Sequence, residues 1–210
     1  MNILTLSVLV GFLGLDNVKF GQFMVSRPLV VGAIMGLFSG NFPLGLRMGV
    51  LLELLWIRVI PVGTFYPPDT VITTALACLW TIVFSRLCPE GMFAFYALLG
   101  IALAIPVGIV YKTIQINDRK RASGYNRIIE EGIESGQPDL IDHFVRMSLL
   151  KDFAGGAFFF FLFYYGGYYI IKLIPCPSSA LFLKGIDYAF YLLPLLGITQ
   201  VLNSFLRKKK

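Results

Sequence analysis

The sequence predicts an all-α membrane protein: a polytopic helical bundle with short or broken helices at its N-terminal end. Three observations carry this. Of the 210 residues, 57% are hydrophobic and only 14% are charged, against ~45–50% and ~25% in an ordinary soluble domain. Four stretches stay apolar for ~20 residues, the length needed to cross a bilayer. The charges are also gathered, with residues 112–152 holding 14 of the 30 charged residues, seven of each sign. Two apolar blocks therefore flank one polar segment. This composition excludes a disordered chain and argues against a water-soluble enzyme. The absence of a three- or seven-residue repeat excludes a collagen-like or coiled-coil chain.

The elements follow in order, within a single membrane domain over 1–210. Residues 1–68 hold only short apolar runs, 3–15, 28–38 and 44–57, each followed by Gly, Pro, Asn or a charge. Runs this short are more often re-entrant or interfacial than spanning. Gly/Pro-interrupted segments of this kind are also the best sequence pointer to a transport site. The alternative is two ordinary tilted helices joined at residues 41–43. The first run has no Lys or Arg before Lys19 and no small-residue cleavage site, so it does not read as a signal peptide.

The expected spans are 69–87, 92–111, 153–174 and 186–206. Pro, Gly or charge bounds each of them. The polar segment 112–152 separates the two pairs, and Ile141, Phe144, Val145, Ser148 and Leu149 fall on one helical face within it. Lys112, Arg119, Lys120 and Arg121 follow the second span, and Arg207–Lys210 follow the last. Both basic clusters belong on the cytoplasmic side by the positive-inside rule, and the two spans between them make one round trip. The polar segment and the basic tail 207–210 are then cytoplasmic, while 87–91 and 175–185 lie outside.

The three cysteines, Cys78, Cys88 and Cys176, form no C-x-x-C pair, and His143 is the single histidine. A thiolate–imidazole metal site lacks its ligands. Cys88 and Cys176 both fall in Cys-Pro turns on the outer side, where a disulfide persists, but two free thiols in unrelated turns is the favoured expectation. His143 reads as a solvated surface histidine on the polar face, near Asp139 and Arg146.

Charges inside apolar segments cost roughly 2.5–3.5 kcal/mol on insertion scales, so they usually face an interior or a cavity. Arg27, Arg47, Glu53, Arg58 and Asp69 all lie in the first third of the chain. Two roles stand open for each carboxylate. Asp69, after Pro67 and Pro68, suits the start of a helix as an N-cap, and Glu53 suits an ion pair with Arg47 or Arg58. Alternatively, Glu53, Asp69, Thr64 and Tyr66 supply the groups that hold the hydroxyls of a sugar.

Ser26-Arg27-Pro28-Leu29, then Gly45, Gly49 and Leu52-Glu53-Leu54, then Pro61-Val62-Gly63 and Pro67-Pro68-Asp69 occur in this order. Together with Ile101-Ala102-Leu103-Ala104-Ile105-Pro106 and His143, they make a pattern that covers nearly the whole chain. It resembles the membrane-embedded IIC component of mannose/sorbose-family bacterial phosphotransferase systems. The resemblance implies a sugar permease subunit in the bacterial inner (cytoplasmic) membrane. Such a subunit works in an oligomeric complex with a IID membrane subunit and moves a hexose or amino sugar inward. Soluble IIA and IIB subunits phosphorylate the sugar, so the chain itself is not an enzyme and needs no cofactor or nucleic acid. The implied sugar-binding residues are Glu53, Asp69, Thr64 and Pro61. Two departures bear on the substrate: many members have Asn at the position of Pro61 and a small residue at that of Arg58. Many also run further, with additional apolar segments, which points either to heavier reliance here on the IID partner or to inefficient transport.

Two other classes remain beside the transporter. One is a non-transporting scaffold or sensor for the soluble phosphotransferase proteins. The other is the substrate-binding subunit of an unrelated small-molecule importer. A membrane enzyme is disfavoured because the polar groups form no nucleophile–base set.

Overall fold

In the computed structural model the described residues are 2–16, 21, 23–57, 68–87, 92–124, 139–177 and 179–207. Seven helices account for most of them: α1 (Ile3–Leu15), α2 (Pro28–Phe38), α3 (Phe42–Trp56), α4 (Thr70–Leu87), α5 (Phe93–Ser123), α6 (Asp139–Leu173) and α7 (Ala180–Arg207). Four are long and apolar enough to cross a membrane, over Thr70–Leu87, Phe93–Arg121, Asp142–Leu173 and Ala180–Asn203. The described residues contain no strand. The chain is a helical membrane bundle with short helices at its N-terminal end.

Local chemistry sets the starts of these helices. Asn2 caps α1, its side chain accepting the N–H of Leu4 at 3.1 Å. Asn41 caps α3 by accepting from Leu44 at 3.3 Å, and Pro43 follows inside the first turn, where its missing N–H costs nothing. Pro28 opens α2 in the same way, but Arg27 supplies no side-chain cap. That cap comes from another helix, as described below.

α2 and α3 have 11 and 15 residues. At 1.5 Å per residue both fall short of a hydrocarbon core of ~30 Å. They fold back on each other through small residues spaced four apart, Gly32 and Gly36 facing Gly49 and Gly45. A Cβ on Gly32 would lie 2.6 Å from the Gly45 carbonyl oxygen and 2.6 Å from Gly49 Cα. Without side chains there, the two backbones approach closely, which is how helices gain packing energy where lipid removes the hydrophobic drive. The turn between them, at Ser39 and Gly40, is held by Arg86 of α4, which donates to the Ser39 carbonyl at 2.7 Å.

α4 is the core. Val71, Ala75, Leu76, Cys78, Leu79, Trp80 and Ile82 are all buried, and α1, α2, α3, α5 and α6 pack around it. α1 lies along α6, with Gly11 against Phe153. α7 sits at the edge against α3 and α5 and leaves Tyr188, Tyr191 and Leu195 exposed. With α6 residues such as Phe158 and Leu162, these form an apolar outer surface suited to lipid.

Helices enter the polar segment from both sides. α5 continues twelve residues past Tyr111 to Ser123, and α6 already begins at Asp139. The spans and the polar residues beside them thus share continuous helices. Hydropathy marks where lipid ends, whereas Lys, Gln, Arg and Ala are good helix formers that carry the helix onward. Lys151 of α6 joins Asp118 of α5 at 2.8 Å, tying the two extensions together. His143 is exposed, as expected. Cys176 Sγ lies 3.0 Å from the Tyr96 hydroxyl, and Cys88 lies outside the described residues.

Candidate functional site

Asp69 is 2% exposed and divides its carboxylate between two helices. Oδ1 accepts the N–H of Ile72 at 2.8 Å and so caps α4. Oδ2 accepts from Gln115 Nε2 of α5 at 3.0 Å. The Asp69 N–H itself donates to the Gly108 carbonyl at 3.3 Å. Gly108, Tyr111 and Gln115 fall on one face of α5 at i, i+3 and i+7, so α5 offers the start of α4 a carbonyl, a phenol and an amide in a row.

A small cavity opens beside Asp69. Tyr111, Gln115 and Asp152 line it with Asp69, and Gly11, Gly14 and Gly156 give it room. Its volume is about 20 Å³, room for one water, which needs roughly 10–15 Å³. A carboxylate has about four acceptor positions. Each Asp69 oxygen uses one in these bonds, which leaves capacity for further donors.

Glu53 sits on α3 with its side chain 26% exposed. Its partner is Arg27, at 3.5 Å, and not Arg47, which is exposed; Arg58 lies outside the described residues. The reason is helical geometry: positions six apart on α3 point in different directions, whereas a partner on a neighbouring helix can face Glu53 directly. Its second oxygen accepts the N–H of Leu29 at 3.2 Å. Leu29 lies in the first turn of α2, so Glu53 supplies the cap that Arg27 does not, and its charge suits that helix end.

Glu53 does not line the cavity that holds Asp69. The two carboxylates meet instead through one stretch of chain. Thr70, next to Asp69, donates its hydroxyl to the Ser26 carbonyl at 3.4 Å, and Arg27 and Leu29 bind Glu53. Pro61 and Thr64 lie outside the described residues. Sequence reasoning missed Gln115 and Tyr111, although the shared face with Gly108 marks them. It also missed Asp16, the charge that ends the first apolar run.

The sequence matches, over residues 1–210, the family described as "PTS system sorbose-specific iic component". The chain belongs to that phosphotransferase-system IIC family. It is also similar to an Escherichia coli (strain K12) protein named "Putative N-acetylgalactosamine permease IIC component 2", with 31% identity over 77 residues. That match takes in 37% of this chain and 57% of the relative, so it spans little more than half of the relative's length. A solved structure titled "Structure of membrane protein" shares the fold, with a TM-score of 0.71 and 17% identity over 97% of this chain and 77% of that one. The IIC-family chain is thus a multi-pass membrane protein whose N-terminal third carries the anchored carboxylates Glu53 and Asp69.

Proposed function

We propose that this chain is the sugar-permease subunit of a mannose-family phosphotransferase system in a bacterial inner membrane. It carries a hexose or amino sugar inward together with a IID membrane subunit, and separate soluble IIA and IIB subunits phosphorylate the sugar. The observation that carries this reading is the family match over the whole chain. The name of the Escherichia coli relative favours an amino sugar.

In this reading Asp69 and Glu53 accept sugar hydroxyls, and the family pattern adds Thr64 and Pro61 to the binding residues. Both carboxylates are anchored by backbone N–H groups, so they are oriented before a sugar arrives and little ordering cost remains on binding. The cavity at Asp69 is smaller than a hexose, so sugar binding there requires the surrounding helices to part.

The test is uptake of labelled N-acetylgalactosamine, mannose and sorbose in cells that lack other routes for these sugars and co-express the partner subunits. Losing a charged hydrogen bond costs roughly 1.5–3 kcal/mol, or more than tenfold in affinity. Glu53→Gln and Asp69→Asn are therefore expected to weaken uptake by about that factor at equal membrane levels. Unchanged affinity in both variants rejects the site. Absence of all uptake, with the soluble subunits still bound at the membrane, points to the scaffold role instead.

A further inference from the structure

Asp16 follows α1 and is 7% exposed. Its carboxylate clamps the next turn with both oxygens. Oδ1 accepts the N–H of Phe23 at 2.7 Å, and Oδ2 accepts the N–H of Ser26 at 3.0 Å. Between those two residues Met24 has a φ of 63°, a left-handed conformation that a non-glycine residue keeps only when its surroundings hold it.

What this turn carries gives the clamp its meaning. The Ser26 carbonyl receives the Thr70 hydroxyl, beside Asp69. Arg27 pairs with Glu53, and Leu29 donates its N–H to the same carboxylate. One turn therefore touches the helix that bears Glu53 and the helix that Asp69 begins. Asp16 anchors it to α1, which itself packs along α6.

We propose that Asp16 is a positioning residue for the sugar site: by holding residues 23–26 it fixes where Arg27 and the α2 N-terminus meet Glu53, and where Ser26 meets α4. This rests on the reading of Glu53 and Asp69 as sugar-binding carboxylates. Asp16 does not touch sugar. It acts through the turn, and the turn acts on Glu53. The chemistry is graded by design of the side chain. Asn offers one carbonyl oxygen, and so keeps one of the two N–H acceptors. Ala keeps neither.

The experiment pairs two readouts on the full chain with its partner subunits. Amide hydrogen exchange reads the clamp without reference to sugar. Exchange over residues 23–29 is expected to rise in Asp16→Asn and to rise further in Asp16→Ala, with α5 unchanged. Uptake of labelled N-acetylgalactosamine and mannose reads the positioning. At equal membrane levels KM is expected to increase roughly threefold to tenfold in Asp16→Asn, because residues joined in one network couple. In a Glu53→Gln background the same substitution is expected to have little further effect. A merely structural Asp16 would give the same fold-change in both backgrounds, and that result overturns the proposal. So does faster exchange with an unchanged KM. Unchanged exchange in Asp16→Ala removes the clamp itself. If the wild-type protein takes up none of N-acetylgalactosamine, mannose and sorbose, the sugar-site reading fails and positioning with it, while the exchange data still decide the clamp.

Discussion

The indole N–H of Trp80 donates to the backbone carbonyl of Tyr164 across 3.0 Å, and the bare backbone at Gly167 admits the ring. A Cβ on Gly167 would collide with three atoms of that indole. This joins α4 to α6 in the middle of the apolar layer, where a buried indole N–H without a partner carries a penalty of about 1–3 kcal/mol.

Gly167→Ala is therefore expected to destabilise the protein by about 1–3 kcal/mol through overpacking. Gly166→Ala, next to it, meets nothing within 4 Å and is expected to be tolerated. Thermal unfolding of the two variants in the same detergent checks the contrast. Equal midpoints would show that the indole has room to shift.

A second prediction concerns the start of α4. Asp69→Asn keeps an acceptor for the Ile72 N–H, and Gln115 can turn its amide to offer oxygen to the new NH2 group. It is expected to fold at near-normal levels. Asp69→Ala removes the cap, costing about 0.5–2 kcal/mol, and leaves the Gln115 amide without this acceptor. Its folded yield is expected to fall well below that of the Asn variant. Fluorescence-detected size exclusion on both variants gives the answer, and it makes Asp69→Asn the proper variant for sugar measurements.

The spans, the capping signals and the family pattern were legible because each is local. Twenty apolar residues or an Asp after two prolines needs no partner to be read. Asp69 shows both the strength and the limit of this. Its cap on Ile72 follows from position alone, but its second bond goes to Gln115, 46 residues away. The Arg27 partner of Glu53 was not legible for the same reason. Arg47 and Arg58 are near in sequence, but Arg27, 26 residues away, is brought in by the α2–α3 fold-back at the glycines. Asp16 carried no local signal of importance, since its bonds run to backbone N–H groups that any sequence would supply. The full lengths of α5 and α6 were not legible, because apolarity ends where lipid ends while polar helix formers carry the helices onward.

Orientation gives a third prediction. By the positive-inside rule, the basic residues at 112–121 and 207–210 predict that the extended ends of α5 and α6 and the C-terminus face the cytoplasm. Cys176, which is exposed, then lies outside. In a Cys88→Ser background, an impermeant maleimide added to whole cells is expected to label Cys176. In a variant that also lacks Cys176, a cysteine placed at Gly124 is expected to react only after the cells are opened. Labelling of that cysteine in intact cells would reverse the topology.

The last prediction is the pH response of the Asp16 clamp. Burial pushes this carboxyl up, but the backbone N–H groups of Ser26 and Phe23, with further help from the Ser26 side chain and Val25, outweigh it. The net pKa lies below the ordinary 3.8. The sign follows from linkage. A carboxyl with a depressed folded pKa binds protons less readily folded than unfolded, so its stabilisation is fully present above the ordinary value and disappears as pH falls through the folded one. Between pH 7 and pH 5 Asp16 therefore contributes no slope, and its contribution fades below about pH 4. In Asp16→Asn that contribution is absent at every pH. The difference in unfolding midpoint between wild type and Asp16→Asn is thus expected to be constant from pH 7 to pH 5 and to shrink as the pH drops from 4 toward 3. Taking the difference cancels the other carboxylates, which titrate in both proteins. A gap that stays constant to pH 3 would mean that Asp16 does not hold the turn as a carboxylate, and that its two N–H bonds contribute little beyond what an amide supplies.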